Sequence, residues 1–202
     1  MNTLSFNQLL PFVLFAFVAS ITPGPTNLLI LGGAVRHGLL AVLPLVLGAA
    51  VGAAGLLLVV GLGLGEMLLH YPLLQNGMAL VGVAWISWLG WKLFNASASG
   101  IEAETSGNRP GAIHGAGLQL INPKTWMMAL SVVSVFVDAG SGPATYGLYA
   151  AIFLLIALPC LTVWALLGRG AARLLASPRA IRCFNQGMAL LLVTSAWIGV
   201  LS

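Results

Sequence analysis

Six runs of apolar residues dominate the sequence, and each is at least as long as the roughly 20 residues that a helix needs to cross a bilayer. They cover residues 6–31, 39–64, 73–94, 112–137, 144–168 and 181–201. Only 6% of the residues are charged, against about 25% in an ordinary soluble domain. A soluble fold and a disordered chain are therefore disfavoured. We predict an all-α integral membrane protein with six transmembrane helices.

The basic residues predict the orientation of these spans. Seven of the eight fall on alternate loops or at the adjoining helix ends, namely Arg36, Lys92, Arg109, Arg169, Arg173, Arg179 and Arg182. Because basic loops stay on the cytoplasmic side of a membrane, we expect both termini to lie outside the cytoplasm. Topology also accounts for the net charge of +4, so we expect a lipid environment and no nucleic-acid partner.

A short internal repeat divides the chain into two halves. At an offset of 100 residues, the Ile-Thr-Pro sequence at 21–23 matches Ile-Asn-Pro at 121–123, and each lies in the first span of a group of three. Three is an odd number, so the halves must have opposite orientations, as in many secondary transporters. We predict one transmembrane domain over residues 1–202, with repeats at about 6–94 and 112–201 and a cytoplasmic connector at about 95–111.

Prolines in both motifs predict that the first and fourth spans are broken helices. A proline has no N–H group and clashes with the preceding helical turn. Backbone groups freed at membrane depth need partners, so we expect the two breaks to meet at a central polar site. A pair of kinks repaired by neighbouring side chains is the alternative. The candidate substrate-binding residues are Thr22, Pro23, Gly24, Pro25, Thr26, Asn27, Gln119, Asn122, Pro123 and Lys124.

Lys124 is the one basic residue predicted to lie near the middle of a span. A charged lysine there costs about 2.5–3.5 kcal/mol on insertion scales, so such residues usually face a cavity or a partner. Three roles fit this lysine: binding an anionic group, pairing with a carboxylate, or titrating. Snorkelling to the interface is the structural alternative.

Small residues in the second span form a second pattern. Gly48 and Gly52 have the small-xxx-small spacing that lets helices approach closely. We predict a packing role for them, compatible with a second role in exposing backbone to a transport pathway.

Several functional classes lack the residues they need. The sequence has no Walker A, H-E-x-x-H or C-x-x-C-H motif, and we expect no cofactor and no metal. No Ser/His pair is placed for hydrolysis, so we expect the protein not to be an enzyme. Secondary transport is the leading class, and a small membrane channel or a non-transporting membrane partner is the alternative.

The motifs together resemble the lysine exporter / homoserine–threonine resistance (LysE/RhtB) superfamily. The resemblance rests on Thr-Pro-Gly-Pro-Thr-Asn at 22–27, His-Gly at 37–38, the Gly48–Gly52 spacing, Gly-Trp-Lys at 90–92 and the segment 115–124 that ends in Asn-Pro-Lys. It implies a six-span exporter of amino acids or their derivatives in the bacterial inner membrane, driven by the proton motive force. The third, fourth and sixth spans are most similar to the branch that exports cysteine and O-acetylserine. The sequence leaves open whether the chain forms a homodimer.

Overall fold

The computed structural model describes residues 6–64, 72–95, 111–137, 141–174 and 177–201, and all regular elements in these ranges are helical. The all-helical class is thus confirmed. We number the α-helices in chain order: α1 (Phe6–Ile21), α2 (Pro25–His37), α3 (Leu39–Val59), α4 (Pro72–Phe94), α5 (Ala112–Ile121), α6 (Pro123–Phe136), α7 (Pro143–Leu174) and α8 (Pro178–Leu201). A π-helical turn, Val60–Leu64, continues α3.

Two helical segments in the described residues are long and apolar enough to cross a membrane, Leu39–Leu64 and Pro143–Ala172. The bent pair formed by Leu9–Ile21 and Pro25–His37 makes a third span if it is counted as one. A shorter apolar helix covers Ala112–Ile121. The six-span arrangement and its inverted repeat therefore stay predictions.

Both proline motifs interrupt a helix. The chain bends by 50° between α1 and α2, and Asn122 separates α5 from α6 in an extended conformation (φ −91°, ψ 108°). Each second half-helix begins with a proline, Pro25 or Pro123, where the missing N–H group carries no penalty and the fixed φ suits a helix. The preceding half-helices end at Ile21 and Ile121, which correspond at the offset of 100 residues.

Some predicted boundaries differ from the structure. Helix α7 continues beyond residue 168 to Leu174, so Arg169 and Arg173 lie on a helix and not in a loop. After Pro159 the next proline in the sequence is Pro178, so no proline ends the helix near residue 168. Apart from residues 95 and 111, the predicted connector at 95–111 lies outside the described residues.

Helix α3 lies at the centre of the packing and contacts α2, α5 and α7, while α4 packs against α8. Its crossing with α5 is close because both helices present glycines. A Cβ atom added to Gly48 would overlap the backbone carbonyl of Ala112, and one added to Gly52 would lie 2.7 Å from the Cα atom of Ala116. From the other side, a Cβ atom on Gly115 would overlap the carbonyl of Leu45. These contacts support a packing role for Gly48 and Gly52.

Replacing Gly48 with alanine should destabilise the protein by about 1–3 kcal/mol, because the new methyl group pushes two backbones apart. At this chain length the midpoint of thermal unfolding in detergent should fall by roughly 2–10 °C. Gly55→Ala is the matched control in the same helix, since nothing lies within 4 Å of its added Cβ atom. Equal midpoints for the two variants would contradict the close crossing.

Candidate functional site

A buried hydrogen-bond network joins the two helix breaks. Thr26, in the first turn of α2, accepts hydrogen bonds at Oγ1 from Asn122 Nδ2 (2.9 Å) and Gln119 Nε2 (3.2 Å). The Thr125 hydroxyl donates to Gln119 Oε1 at 2.8 Å. All four side chains are buried. Residues separated by more than 90 positions in sequence thus form one polar centre between α2, α5 and α6.

Side chains satisfy the carbonyl groups that are released where α1 ends. Asn27 Nδ2 donates to the Ser20 carbonyl at 2.8 Å, and Trp164 Nε1 donates to that of Ile21 at 3.0 Å. The third carbonyl, that of Thr22, accepts from Lys124 Nζ at 2.7 Å. Because unpaired backbone groups are costly at membrane depth, these three contacts make the break tolerable.

The two half-helices that follow the breaks have different N-termini. At α6 the Asn122 side chain accepts from the backbone N–H of Lys124 at 3.2 Å and so caps the helix. At α2 the N-cap is Gly24, and no side chain in the described ranges caps the helix. The N–H groups of the first helical turn have no intrahelical acceptor, and they carry the positive end of the helix dipole. The start of α2 is therefore the open one of the two.

Lys124 adds its charge at the same place. A Cβ atom added to Gly24 would lie 3.1 Å from Lys124 Nζ, so the ammonium group lies beside the uncapped start of α2. A cation and a helix N-terminus together attract an anion, as at many carboxylate and phosphate sites. Among the described residues no acidic side chain neutralises this charge, because all four Asp and Glu residues of the sequence fall outside the described ranges.

A cavity of about 40 Å³ lies between these groups. Its polar wall consists of Ser20, Thr26, Asn27, Gln119, Asn122 and Thr125, with Lys124 at one side. Alanines from α3 and α7 and the ring of Phe153 form much of the apolar wall. A single water needs roughly 10–15 Å³ of such volume and ligand pockets typically offer about 300–1,000 Å³. A cavity of this size fits a few waters, and it must widen to hold an organic solute.

Half of the ten candidate substrate-binding residues line the cavity. Five line it: Thr26, Asn27, Gln119, Asn122 and Lys124. Thr22 contributes its carbonyl oxygen, Gly24 leaves room for Lys124, and the three prolines set the helix ends. Gly48 and Gly52 lie at the crossing of α3 and α5 and do not line the cavity.

Three residues with roles at the site were missed in the sequence. The Ser20 hydroxyl lines the cavity, is buried and has no hydrogen-bond partner among the residues that the structure describes. Trp164 holds the Ile21 carbonyl, and Trp126 Nε1 donates to the Leu120 carbonyl at 2.8 Å beside the second break. A tryptophan inside an apolar run carries one N–H donor that needs an acceptor, and that signal could have flagged both.

Comparison with known proteins gives a consistent family. The model of the LysE type translocator family matches residues 17–198, nearly the whole chain. The chain belongs to this family. It is accordingly a multi-pass bacterial membrane protein, and the family recognised from the sequence motifs is confirmed.

Curated relatives are more distant. A cysteine/O-acetylserine efflux protein of Salmonella choleraesuis is 29% identical over 128 residues, which cover 62% of this chain and 64% of the relative. A leucine efflux protein of an Enterobacter species is 25% identical over 64% of each chain. An uncharacterized membrane protein of Pseudomonas aeruginosa is 29% identical over 69% of this chain and 68% of its own length. The chain thus spans just under two thirds of the first of these relatives. No solved structure matches it.

Replacing Thr26 with valine should destabilise the protein, because valine keeps the shape but removes the acceptor shared by Asn122 and Gln119. Two buried amide donors would lose a partner, at a cost of about 2–4 kcal/mol in the free energy of unfolding. Thr194→Val is the control, since this exposed hydroxyl bonds only to carbonyls of its own helix. Its effect should stay within about 0.5 kcal/mol. Thermal unfolding in detergent measures both, and an unchanged Thr26→Val midpoint would refute the network.

Proposed function

We propose that the protein is a secondary-active exporter of amino acids or their derivatives across the bacterial inner membrane. The observation that carries the proposal is the uncapped N-terminus of α2, which lies beside the Lys124 ammonium and borders a small cavity with polar and apolar walls. This arrangement suits a carboxylate. The relatives named as efflux proteins for cysteine/O-acetylserine and for leucine support an amino-acid substrate.

The substrate carboxylate binds the free N–H groups in the first turn of α2. The candidate substrate-binding residues are the set predicted from the sequence, of which Lys124 holds the Thr22 carbonyl while the site is empty and does not contact the bound substrate. Thr26, Gln119 and Asn122 fix the relative position of the two breaks.

The apolar lining includes Ala49, Ala53 and Phe153, and no acidic residue lines the cavity, which favours substrates with small or apolar side chains over basic ones. A side-chain ammonium or guanidinium would be unpaired there, and burying an unpaired charge is costly.

Six spans in two inverted repeats would give this site its two accesses. The halves rock about the breaks, so the cavity opens first to the cytoplasm and then to the outside, with both termini on the outer side. The matching helix ends at Ile21 and Ile121 support this arrangement. The proton motive force supplies the energy.

A small channel, or a membrane protein that transports nothing, is the competing function. In a channel the solute would pass down its gradient through an open pore. The small cavity and the buried hydrogen bonds around it favour alternating access instead. A channel needs a continuous water-filled path, and these two features interrupt such a path.

Efflux from preloaded bacteria tests the function. Cells that express the protein should export labelled cysteine, O-acetylserine or leucine faster than cells with an empty vector, and an uncoupler should abolish the difference. Lysine and arginine should leave at the background rate. Efflux that is saturable and sensitive to the uncoupler would identify an energised exporter. Non-saturable efflux unaffected by the uncoupler would indicate a channel. If none of these solutes left the cells faster than with the empty vector, the proposed export function would be wrong.

Replacing Gly24 with alanine should impair export with little loss of folded protein. The added methyl group would lie 2.9 Å from Lys124 Cδ, and the flexible lysine would move away from Thr22 and from the start of α2. We expect at least a roughly fivefold slower uncoupler-sensitive efflux. Gly32→Ala in the same helix meets nothing within 4 Å and should export at the normal rate. Normal export by Gly24→Ala would argue against a substrate site at this break.

A further inference from the structure

We propose that the ammonium group of Lys124 and the ammonium group of the substrate compete for the carbonyl oxygen of Thr22, so that each exported molecule is exchanged for one proton that enters on Lys124. The inference rests on the proposed function and assigns the group that couples export to the proton gradient. It also gives the substrate ammonium a binding position.

The carbonyl groups at the first break differ in how they are held. Those of Ser20 and Ile21 are bound by Asn27, which is buried, and by the rigid indole of Trp164. The Thr22 carbonyl is bound by the end of a flexible four-carbon side chain, at an exposed residue. Of the three carbonyls it is the one that a second cation can take over without repacking a helix.

Two ammonium groups cannot share this position. Both would lie close to one oxygen and near the positive end of α2, in surroundings of low polarity where like charges repel strongly. From α1, α2, α3, α5 and α7 the cavity receives only Ser, Thr, Asn, Gln, Ala, Phe and Leu side chains, and Met128 comes from α6. None of these carries a charge or titrates. Among the lining residues, relief can come only from Lys124, which becomes neutral when it loses its proton.

The resulting cycle conserves protons and charge. On the cytoplasmic side the substrate carboxylate binds the first turn of α2 and its ammonium takes the Thr22 carbonyl, while Lys124 breaks an N–H bond and gives the proton to water. After the site has opened outward and the substrate has left, the Lys124 amine gains a proton from the outside. The ammonium then returns to Thr22 and the empty protein resets. One zwitterion leaves and one proton enters, so one positive charge moves inward per cycle.

The competing assignment keeps Lys124 protonated and pairs it with the substrate carboxylate. Substrate and proton would then be bound at the same time. Exchange of one for the other would need a titratable group other than Lys124. The two assignments predict opposite behaviour for a neutral replacement of Lys124.

Purified protein in liposomes separates these cases, with labelled leucine as the probe and cysteine, kept reduced, in parallel. Two quantities are measured: exchange of labelled for unlabelled amino acid without any gradient, and uphill transport driven by an imposed pH gradient. Lys124→Met removes the charge at similar length, and Lys124→Arg makes it permanent, because arginine does not deprotonate in proteins. Lys92→Met is the control, since Lys92 lies over the Trp88 ring at 4.3 Å and does not line the cavity.

For Lys124→Met we expect exchange within about threefold of wild type and no uphill transport, because substrate binds but no proton is carried. For Lys124→Arg we expect at least a tenfold loss of both, because the guanidinium keeps the Thr22 carbonyl. Loss of exchange as well as uphill transport in a folded Lys124→Met protein would overturn the inference and leave Lys124 as a binding residue of the proposed exporter. Uphill transport by that variant would also overturn it. Absence of exchange in the wild type would overturn the proposed function itself.

A measurement on the unaltered protein guards against misfolded variants. Because proton and substrate exclude each other, the apparent Kd for leucine should fall as the pH rises between about 6 and 8, by up to tenfold per pH unit, with an unchanged maximal exchange rate. The count of protons entering per leucine exported should be one. A Kd that does not depend on pH, or export without proton entry, would contradict the competition.

Discussion

Every backbone N–H and C=O group inside a bilayer must find a partner within the protein, and a broken helix violates this requirement more than any other element. The arrangement around the two breaks follows from it. Where α1 ends, the carbonyl groups of Ser20, Ile21 and Thr22 have no helical N–H donor. The side chains of Asn27, Trp164 and Lys124 donate to them instead. Since these donors come from α2, α7 and α6, satisfying one break fixes the positions of three helices.

The two breaks solve the same problem differently, and this difference turns a structural repeat into a candidate site. At the second break the Asn122 side chain caps α6 with its oxygen and donates to Thr26 with its amide nitrogen. Both polar atoms of Asn122 thus have partners within the protein. At the first break the corresponding position is Thr22, whose side chain bonds back to the Val18 carbonyl of its own helix. Gly24 then precedes α2 without capping it. One helix start is closed and its counterpart is left open to a ligand.

The sequence predicted the breaks and their meeting point because proline and glycine act locally. Two prolines around Gly24 disrupt a helix whatever surrounds them, and a lysine in an apolar run demands a cavity or a partner. The roles of Trp164 and Ser20 could not be derived in this way, since they depend on which helix lies opposite. Likewise, the apolar run that predicted the fifth span stops near residue 168, whereas α7 continues to Leu174. Packing between segments distant in sequence is the part that local patterns do not contain.

The interactions around the cavity are of two kinds. Glycine-lined backbone contacts hold α3 against α5, where an added Cβ atom would clash. Across the cavity, by contrast, Thr26 of α2 bonds to Asn122 and Gln119, and Lys124 of α6 bonds to the Thr22 carbonyl between α1 and α2. Exchanging one hydrogen bond for another changes the free energy little, whereas leaving a buried group without a partner is costly. A solute with a carboxylate at one end and an ammonium at the other offers both replacements at once, and a solute that has only one of them leaves the other group unpaired.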